Sequence, residues 1–262
     1  MAPKTPEPAP SRGPLVLGAL VFVGVIVLAV RAHKEALQSP RFQVDPAQAR
    51  VSARPSWLPE ELAHSLAAHL SERLGEPLSL VDSDELRAWA PLLAEEAWVR
   101  EVSSLEPVFP GRARVRLSLR RPVLKLDDGY LAADNGQILG SGQVEIEPEP
   151  LRLVGAAQEA DRRACAQAAA ELLPFRDQLS DWGVLIQEVE SWGGGRVAFR
   201  DARGVVFDWG RPRSANAYAE VDLEPELKIE NLLRALEAKP GLVGVGRVEL
   251  WRAEPTLLPA GG

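Results

Sequence analysis

Hydrophobic and polar residues follow patterns along this chain that predict its secondary structure. The first is an uninterrupted apolar stretch, Leu15–Val30. A helix of that length spans about 24 Å, close to the roughly 30 Å hydrocarbon core of a bilayer, so the stretch predicts a membrane-spanning helix over residues 15–31. A cleaved signal peptide also has a short apolar region, but the sequence Arg-Ala-His-Lys at 31–34 does not resemble a cleavage site.

The residues before this stretch predict its orientation. Residues 1–14 contain five prolines, which prevent a helix, and few apolar groups, so they are predicted to form a disordered cytoplasmic tail. A short tail before a first apolar segment ordinarily stays in the cytoplasm, which places residues 32–262 on the outer side. The basic residues that flank the stretch are nearly balanced between its two sides and do not change this prediction.

The pattern of residues 41–122 predicts a small module with the order β-α-α-β-β. After a short extended segment, leucines at every fourth position from Leu62 to Leu74 predict an amphipathic helix. An aspartate or serine at positions 82–83 caps a second helix. Residues 99–105 and 114–120 predict two strands, the second with strict alternation of apolar and polar side chains.

The pattern of residues 123–252 predicts a strand-rich mixed domain that ends in a helix and a strand. The pair Asn135-Gly136 predicts a tight turn between two strands, because both residues accept positive φ. An alanine-rich helix follows at residues 161–178. Three further strands, separated by glycine-containing turns, are predicted at 184–190, 196–200 and 205–209. The closing helix and strand are predicted at residues 228–237 and 246–252.

These elements define an α+β chain with a single N-terminal transmembrane helix, the module 41–122, the domain 123–252 and a disordered tail over 253–262. Composition adds two exclusions. The net charge of −7 argues against nucleic-acid binding, which needs a basic surface. The single cysteine, Cys165, excludes an intrachain disulfide, and its alanine-rich helix favours a small buried residue over a reactive thiol.

Catalytic and metal-binding patterns are not found in the sequence. His64 and His69 lie about 140° apart around their predicted helix, so they do not share a face that could bind zinc. The run Gly193–Gly195 lies between two predicted strands, which favours a hairpin turn over a phosphate-binding loop before a helix. No nucleophile-elbow pattern is present. We therefore expect no enzymatic activity, no cofactor, no metal and no small-molecule substrate.

Four short motifs carry a resemblance to a known family. Trp98-Val99 precedes a predicted strand, Phe109-Pro110 occupies the next turn, and Leu119–Val123 closes the module. The last predicted strand has the sequence Arg-Val-Glu-Leu-Trp at residues 247–251. In this order the motifs resemble the FtsQ/DivIB cell-division family. The chain departs from the family pattern at Leu119, where the family usually has an acid.

The resemblance implies both a fold and a function. The module 41–122 is similar to a POTRA domain, the polypeptide-transport-associated module in which two helices cover a three-stranded sheet, and the domain 123–252 is similar to the family's β domain. FtsQ-like proteins are bitopic, non-enzymatic scaffolds of septum formation at the division site of the cytoplasmic (inner) membrane. They bind single-pass divisome proteins of the FtsB and FtsL type through the second domain, near its C-terminus.

The last predicted strand is the candidate partner-binding site. A nearly C-terminal strand is expected at a sheet edge, where a partner can add a strand. The candidate residues are Arg247, Val248, Glu249, Leu250 and Trp251. Trp251 is out of phase with the apolar residues before it, so it either anchors a partner or packs under the C-terminal tail.

Two other classes of protein remain open at this point. One is a POTRA-containing envelope protein for outer-membrane protein transport or assembly; such proteins usually carry several POTRA modules in tandem, and one is predicted here. The other is a membrane-anchored envelope hydrolase, which the lack of a catalytic pattern in the sequence disfavours.

Overall fold

A computed structural model of the chain describes residues 13–39, 43–44, 46, 50–52, 55–75, 78–79, 86–110, 112–141, 145–155, 158–213 and 223–260. The predicted tail 1–14 therefore lies largely outside the described residues, and so does the predicted helix cap at 82–83. The chain divides into two units. The first comprises Met1–Ser52, Ala68–Leu93 and Ser103–Arg116, and the second comprises Ala53–Ala67, Ala94–Val102 and Leu117–Gly262.

The helices correspond to the amphipathic and apolar patterns of the sequence. The α-helices of the described residues are α1 Gly13–Gln38, α2 Glu60–Leu74, α3 Trp89–Ala94, α4 Glu159–Leu172, α5 Arg176–Asp181 and α6 Pro225–Ala238. Short 3₁₀ helices follow at Leu173–Phe175 and Pro240–Leu242. The predicted helix 161–178 is divided between α4 and α5, because a 3₁₀ turn with a proline near its start separates them.

The prediction of a membrane-spanning helix over residues 15–31 was wrong. Across the ranges given above, no helix combines the length and the apolar character that crossing a bilayer requires. A spanning helix needs about 20 consecutive apolar residues. The apolar stretch Leu15–Val30 is shorter than that, and the remainder of α1 carries charges, including an ion pair between Arg31 and Glu35 at 3.2 Å.

The strands are short, and most lie in the second half of the chain. In the described part they are β1 Gln43–Val44, β2 Arg50–Ser52, β3 Leu78–Ser79, β4 Val99–Val108, β5 Arg112–Leu119, β6 Pro122–Lys125, β7 Tyr130–Ala133, β8 Ile138–Ser141, β9 Leu151–Val154, β10 Ile186–Gly193, β11 Arg196–Asp201, β12 Val206–Gly210, β13 Val245–Glu249 and β14 Thr256–Pro259. Together with the helices they make the chain an α+β protein, as the sequence predicted.

Two small sheets lie in the first part of the chain. The strands β2, β5 and β4 form a three-stranded sheet in that order, with β2 parallel to β5, and β1 pairs with β3 in antiparallel fashion. Apart from the two-residue strands β1 and β3, the described elements of residues 41–122 occur in the predicted order, as β2, α2, α3, β4 and β5. In β5 the alternation places Val115 and Leu117 in the interior, as expected from the sequence.

The second unit contains a nine-stranded mixed sheet. Its strand order is β14-β13-β12-β11-β10-β9-β6-β7-β8. The pairs β12–β13, β9–β10 and β6–β9 are parallel, and the other neighbours are antiparallel. The sheet and the helices α4 and α6 share one core, which includes Cys165, Leu172, Val189, Phe199, Phe207, Ile229, Leu232 and Val248.

The end of the chain differs from its prediction. Residues 253–262 were expected to be a disordered tail, but Thr256–Pro259 forms β14 and pairs with β13. The sequence Thr-Leu-Leu suits a strand, since Leu257 packs against the core while its neighbours stay half-buried or exposed. The pairing places β14, not β13, at the edge of the sheet.

Candidate partner-binding site

The five predicted site residues do not lie on one surface. Val248 and Leu250 are 0% and 1% exposed and belong to the core. Glu249 is also buried, whereas Arg247 and Trp251 are half-buried. Arg247 and Trp251 are therefore the members of this set that offer a partner the most surface.

The predicted edge position of this strand was wrong. β13 lies between β12, to which it is parallel, and β14, to which it is antiparallel. The register joins Val206 to Arg247, Phe207 to Val248 and Asp208 to Glu249. Both sides of β13 are thus occupied by neighbouring strands, and its backbone is not open to a further strand.

A buried carboxylate organises the side chains around β13. Asp208, in the middle of β12, is 0% exposed. Its Oδ2 accepts hydrogen bonds from Nη2 of Arg196 and Nη2 of Arg247, each at 2.6 Å, and from Nε1 of Trp251 at 3.1 Å. Its Oδ1 accepts from the N–H of Gly210 at 3.2 Å. One negative charge is thereby shared by two arginines.

Two tryptophan rings stack with these arginines. The guanidinium carbon of Arg247 lies 4.4 Å from the ring centre of Trp192, and that of Arg196 lies 5.3 Å from the ring centre of Trp251. Arg252 stacks on Trp251 at 4.6 Å. At these distances cations and indole rings attract one another. We call these five residues the Trp–Arg cluster.

The Trp–Arg cluster presents positive charge to the solvent, although the chain as a whole is acidic. The side chains of the acids that pair with its arginines, Asp208 and Glu249, are 0% and 11% exposed, whereas Arg196, Arg247 and Arg252 are 33–52% exposed. A third acid, Glu190, accepts a hydrogen bond from Nε1 of Trp192 at 2.9 Å, and its side chain is 23% exposed. Nε of Arg247 is buried without a hydrogen-bond partner among the described residues. The exposed chemistry is therefore guanidinium and indole, which suits a carboxylate-bearing ligand.

Sequence reasoning missed the centre of this arrangement. Asp208, Arg196 and Trp192 were not predicted as site residues. The available signal was an aspartate between Phe207 and Trp209 in a predicted strand, since aspartate is depleted in strands and a buried one needs charged partners. Its partners Arg247 and Trp251 lie 39 and 43 positions away, which a local pattern does not show.

The residues considered for catalysis have structural roles. Burial raises the pKa of the Cys165 thiol to about 12, with further contributions from the negative charges of Asp161 and Glu190, so it is not a thiolate nucleophile. Nδ1 of His64 lies 2.9 Å from the carbonyl oxygen of Glu60 in its own helix. Among the residues that the structure describes, no group of three or more histidines, cysteines or acids could hold a metal ion.

The second unit also has an open cleft of about 990 Å³. It lies between the first turns of α4 and the Gly193–Gly195 turn, and its charged lining side chains are Glu159, Asp161 and Arg163. The described lining does not place a nucleophile beside a general base.

No protein-family model matches the chain, and no curated protein matches it. The FtsQ/DivIB resemblance therefore depends on the sequence motifs alone.

Proposed function

We propose that this chain is a non-enzymatic scaffold of bacterial cell division, which recruits and links divisome membrane proteins during septum formation. The observation that carries the proposal is the Trp–Arg cluster beside the C-terminal edge of the nine-stranded sheet. Tryptophan and arginine are enriched among the residues that dominate the energy of protein interfaces. The membrane-spanning helix predicted from the sequence plays no part in this proposal.

The arrangement of the family-like motifs supports it. Trp98 accepts a backbone hydrogen bond from Arg120 at 2.8 Å, so the Trp-Val motif and the Arg-Arg-Pro-Val motif meet. The Trp98 ring also packs against the small core cluster of the second unit that contains Leu131 and Leu139. The Trp-Val motif and the segment that follows β5 are therefore in direct contact, which is consistent with the proposal.

The partners in this proposal are single-pass divisome proteins of the FtsB and FtsL type, which the chain binds at the division site with its described units on the extracytoplasmic side. The chemistry of the Trp–Arg cluster favours a partner segment that bears carboxylates, because Asp208, which pairs with Arg196 and Arg247, is buried while these arginines are partly exposed. Arg247 has Leu258 as its cross-strand neighbour on β14, so an acidic side chain at position 258 would lie next to this arginine.

The first experiment tests the cellular role. The chain, fused at its N-terminus to a fluorescent protein, is imaged in dividing cells of the organism that encodes it, and its FtsB- and FtsL-like proteins are sought after affinity purification. A band at the constriction site with co-purified partners supports the proposal. A uniform peripheral signal through the cell cycle, without those partners, contradicts it.

The second experiment tests the surface. Leu258 is 37% exposed beside Arg247, so Leu258→Glu introduces an acid that pairs with the cluster and competes with an acidic partner. Leu227→Glu is the matched control, since Leu227 is 42% exposed on α6. We expect partner affinity to fall about tenfold, or about 1.4 kcal/mol, for Leu258→Glu and to stay unchanged for Leu227→Glu. Equal affinities for the two variants mean that the partner binds elsewhere.

A further inference from the structure

β14 contributes few side chains to the interior of the second unit. Its residues are half-buried or exposed, and Leu257 is the one that packs against the core. The neighbouring strand β13 supplies the buried side chains on that side, since Val245 and Val248 are 5% and 0% exposed with β14 in place. Half-burial of one leucine stabilises the pairing by only about 1 kcal/mol, so β14 depends mainly on its backbone hydrogen bonds to β13.

Two prolines close the outer side of β14. The N–H of Ala260 donates to the carbonyl of Gly244 at 3.0 Å, which fixes the inward side of the strand. Because successive residues present their N–H groups to opposite sides of a strand, positions 255, 257 and 259 face away from β13. Pro255 and Pro259 have no N–H, so β14 is a poor template for another strand.

Gly246 in β13 allows β14 to approach. Its backbone is not in the left-handed region, so the glycine is not needed for conformation. A Cβ at this position would lie 2.8 Å from Cα of Ala260 and 3.0 Å from the carbonyl oxygen of Pro259. The close approach of β14 therefore depends on the missing side chain at position 246.

We propose that β14 is an internal placeholder strand: it occupies the side of β13 that a partner strand would pair with, and it must leave before that strand can bind. That a partner strand exists is taken from the proposed function, on which this inference rests. Residues 250–255 tether β14 to β13, and so short a tether gives an effective concentration on the order of millimolar. A partner strand of equal intrinsic affinity is therefore excluded at micromolar concentration, which makes removal of β14 a control on binding.

Strand exchange can be tested without a partner. The probe is a fluorescent peptide with the sequence of residues 255–262, added to the full chain and to a chain that ends at Glu254. We expect the shortened chain to bind the peptide saturably and the full chain to bind it at least tenfold more weakly. Equal binding to both, no binding to the shortened chain, or a shortened chain that no longer unfolds cooperatively would each overturn the proposal.

A substitution in the full chain tests the same contact. Gly246→Ala should raise the amide exchange rate of Ala260, whose N–H bonds to β13, at least tenfold. The amide of Leu250 donates to the backbone carbonyl of Asp208 at 2.9 Å, on the β12 side, so its exchange rate should not change. Gly246→Ala in the shortened chain is the control, since its Cβ meets no β14 there and should not alter stability. An equal loss of stability in both backgrounds contradicts the assigned contact.

Partner binding then separates the two proposals. If the soluble part of an FtsB- or FtsL-like protein binds the shortened chain at least tenfold more tightly than the full chain, both proposals stand. Equal affinity for the two chains rejects the placeholder strand but retains the scaffold. No binding to either chain rejects the scaffold, while the peptide and exchange experiments still decide whether β14 is displaceable.

Discussion

Replacement of Asp208 by asparagine tests whether the buried carboxylate stabilises the side chains of the Trp–Arg cluster and the strands that carry them. Asparagine has nearly the same shape but no charge. In the variant Arg196 and Arg247 lose the negative charge that they share, while Arg247 keeps its ion pair with Glu249 at 3.1 Å. The hydrogen bond from Trp251 is also weakened, since its acceptor is the same oxygen.

The size of the effect follows from the exposure of the partners. Breaking a fully buried ion pair costs about 3–5 kcal/mol, because the remaining charge has no solvation. Here the carboxylate side chain is 0% exposed, but those of Arg196 and Arg247 are 40% and 33% exposed, so water can solvate them. We therefore expect a loss of about 3 kcal/mol, at the low end of that range, and a decrease in Tm of about 6–12 °C for a chain of this size.

Thermal and urea unfolding of Asp208→Asn measure this loss against a matched control. Glu188 also pairs with two arginines, Arg152 and Arg200, but its side chain is 23% exposed, so Glu188→Gln should cost less than about 1 kcal/mol. Equal decreases for the two variants would refute the reasoning, since burial of the carboxylate would then make no difference.

Two further predictions concern the core of the second unit. Gly136 (φ +81°) and Gly129 (φ +80°) have the same backbone conformation, but a Cβ at Gly136 would lie 2.8 Å from Cα of Arg163, whereas a Cβ at Gly129 would meet open space. Gly136→Ala should therefore lower the free energy of unfolding in urea by about 1–3 kcal/mol more than Gly129→Ala. Equal losses for the two variants would contradict this contact. Because burial raises the pKa of Cys165 from 9.0 to about 12, the unfolded thiol ionises first, and the stability of the wild type relative to Cys165→Ala should be constant below pH 9 and fall as pH rises toward 12. A difference that does not change between about pH 8 and about pH 10.5 in denaturant unfolding would contradict the burial of the thiol.

Local sequence patterns were sufficient to predict the elements that are determined by residues close together in the chain. The leucine spacing gave α2, the alternation gave β5, and Asn135-Gly136 gave the turn between β7 and β8, where Gly136 adopts φ +81°. Each of these depends on residues within a few positions of one another, so the pattern contains the physical cause. The apolar stretch at the N-terminus gave the helix α1 correctly but not its relation to a membrane, because a spanning helix depends on length as well as composition.

The site depends on contacts between distant residues, and these the sequence did not reveal. Asp208 in β12 joins Arg196 at the start of β11 to Arg247 and Trp251 in and directly after β13. The segment that forms β14 has a proline at each end, and both prolines favour a tail. It becomes a strand because β13 offers it an edge to pair with. Which strand lies at an edge is a property of the whole sheet, so the prediction that β13 would lie at an edge could not be checked from its own residues.

The variant Asp208→Asn also distinguishes a structural role of the Trp–Arg cluster from a binding role. If the cluster serves only to join the strands, Asp208→Asn lowers stability and leaves partner affinity unchanged at temperatures where the chain is folded. If the cluster also binds an acidic segment, as the proposed function requires, the variant removes one buried negative charge and makes the exposed surface more positive. The association rate with that partner should then rise, and the rise should diminish with added salt, while Tm still falls. Opposite changes in stability and association rate are therefore the signature of a binding surface, and an unchanged association rate together with a lower Tm indicates a structural cluster alone.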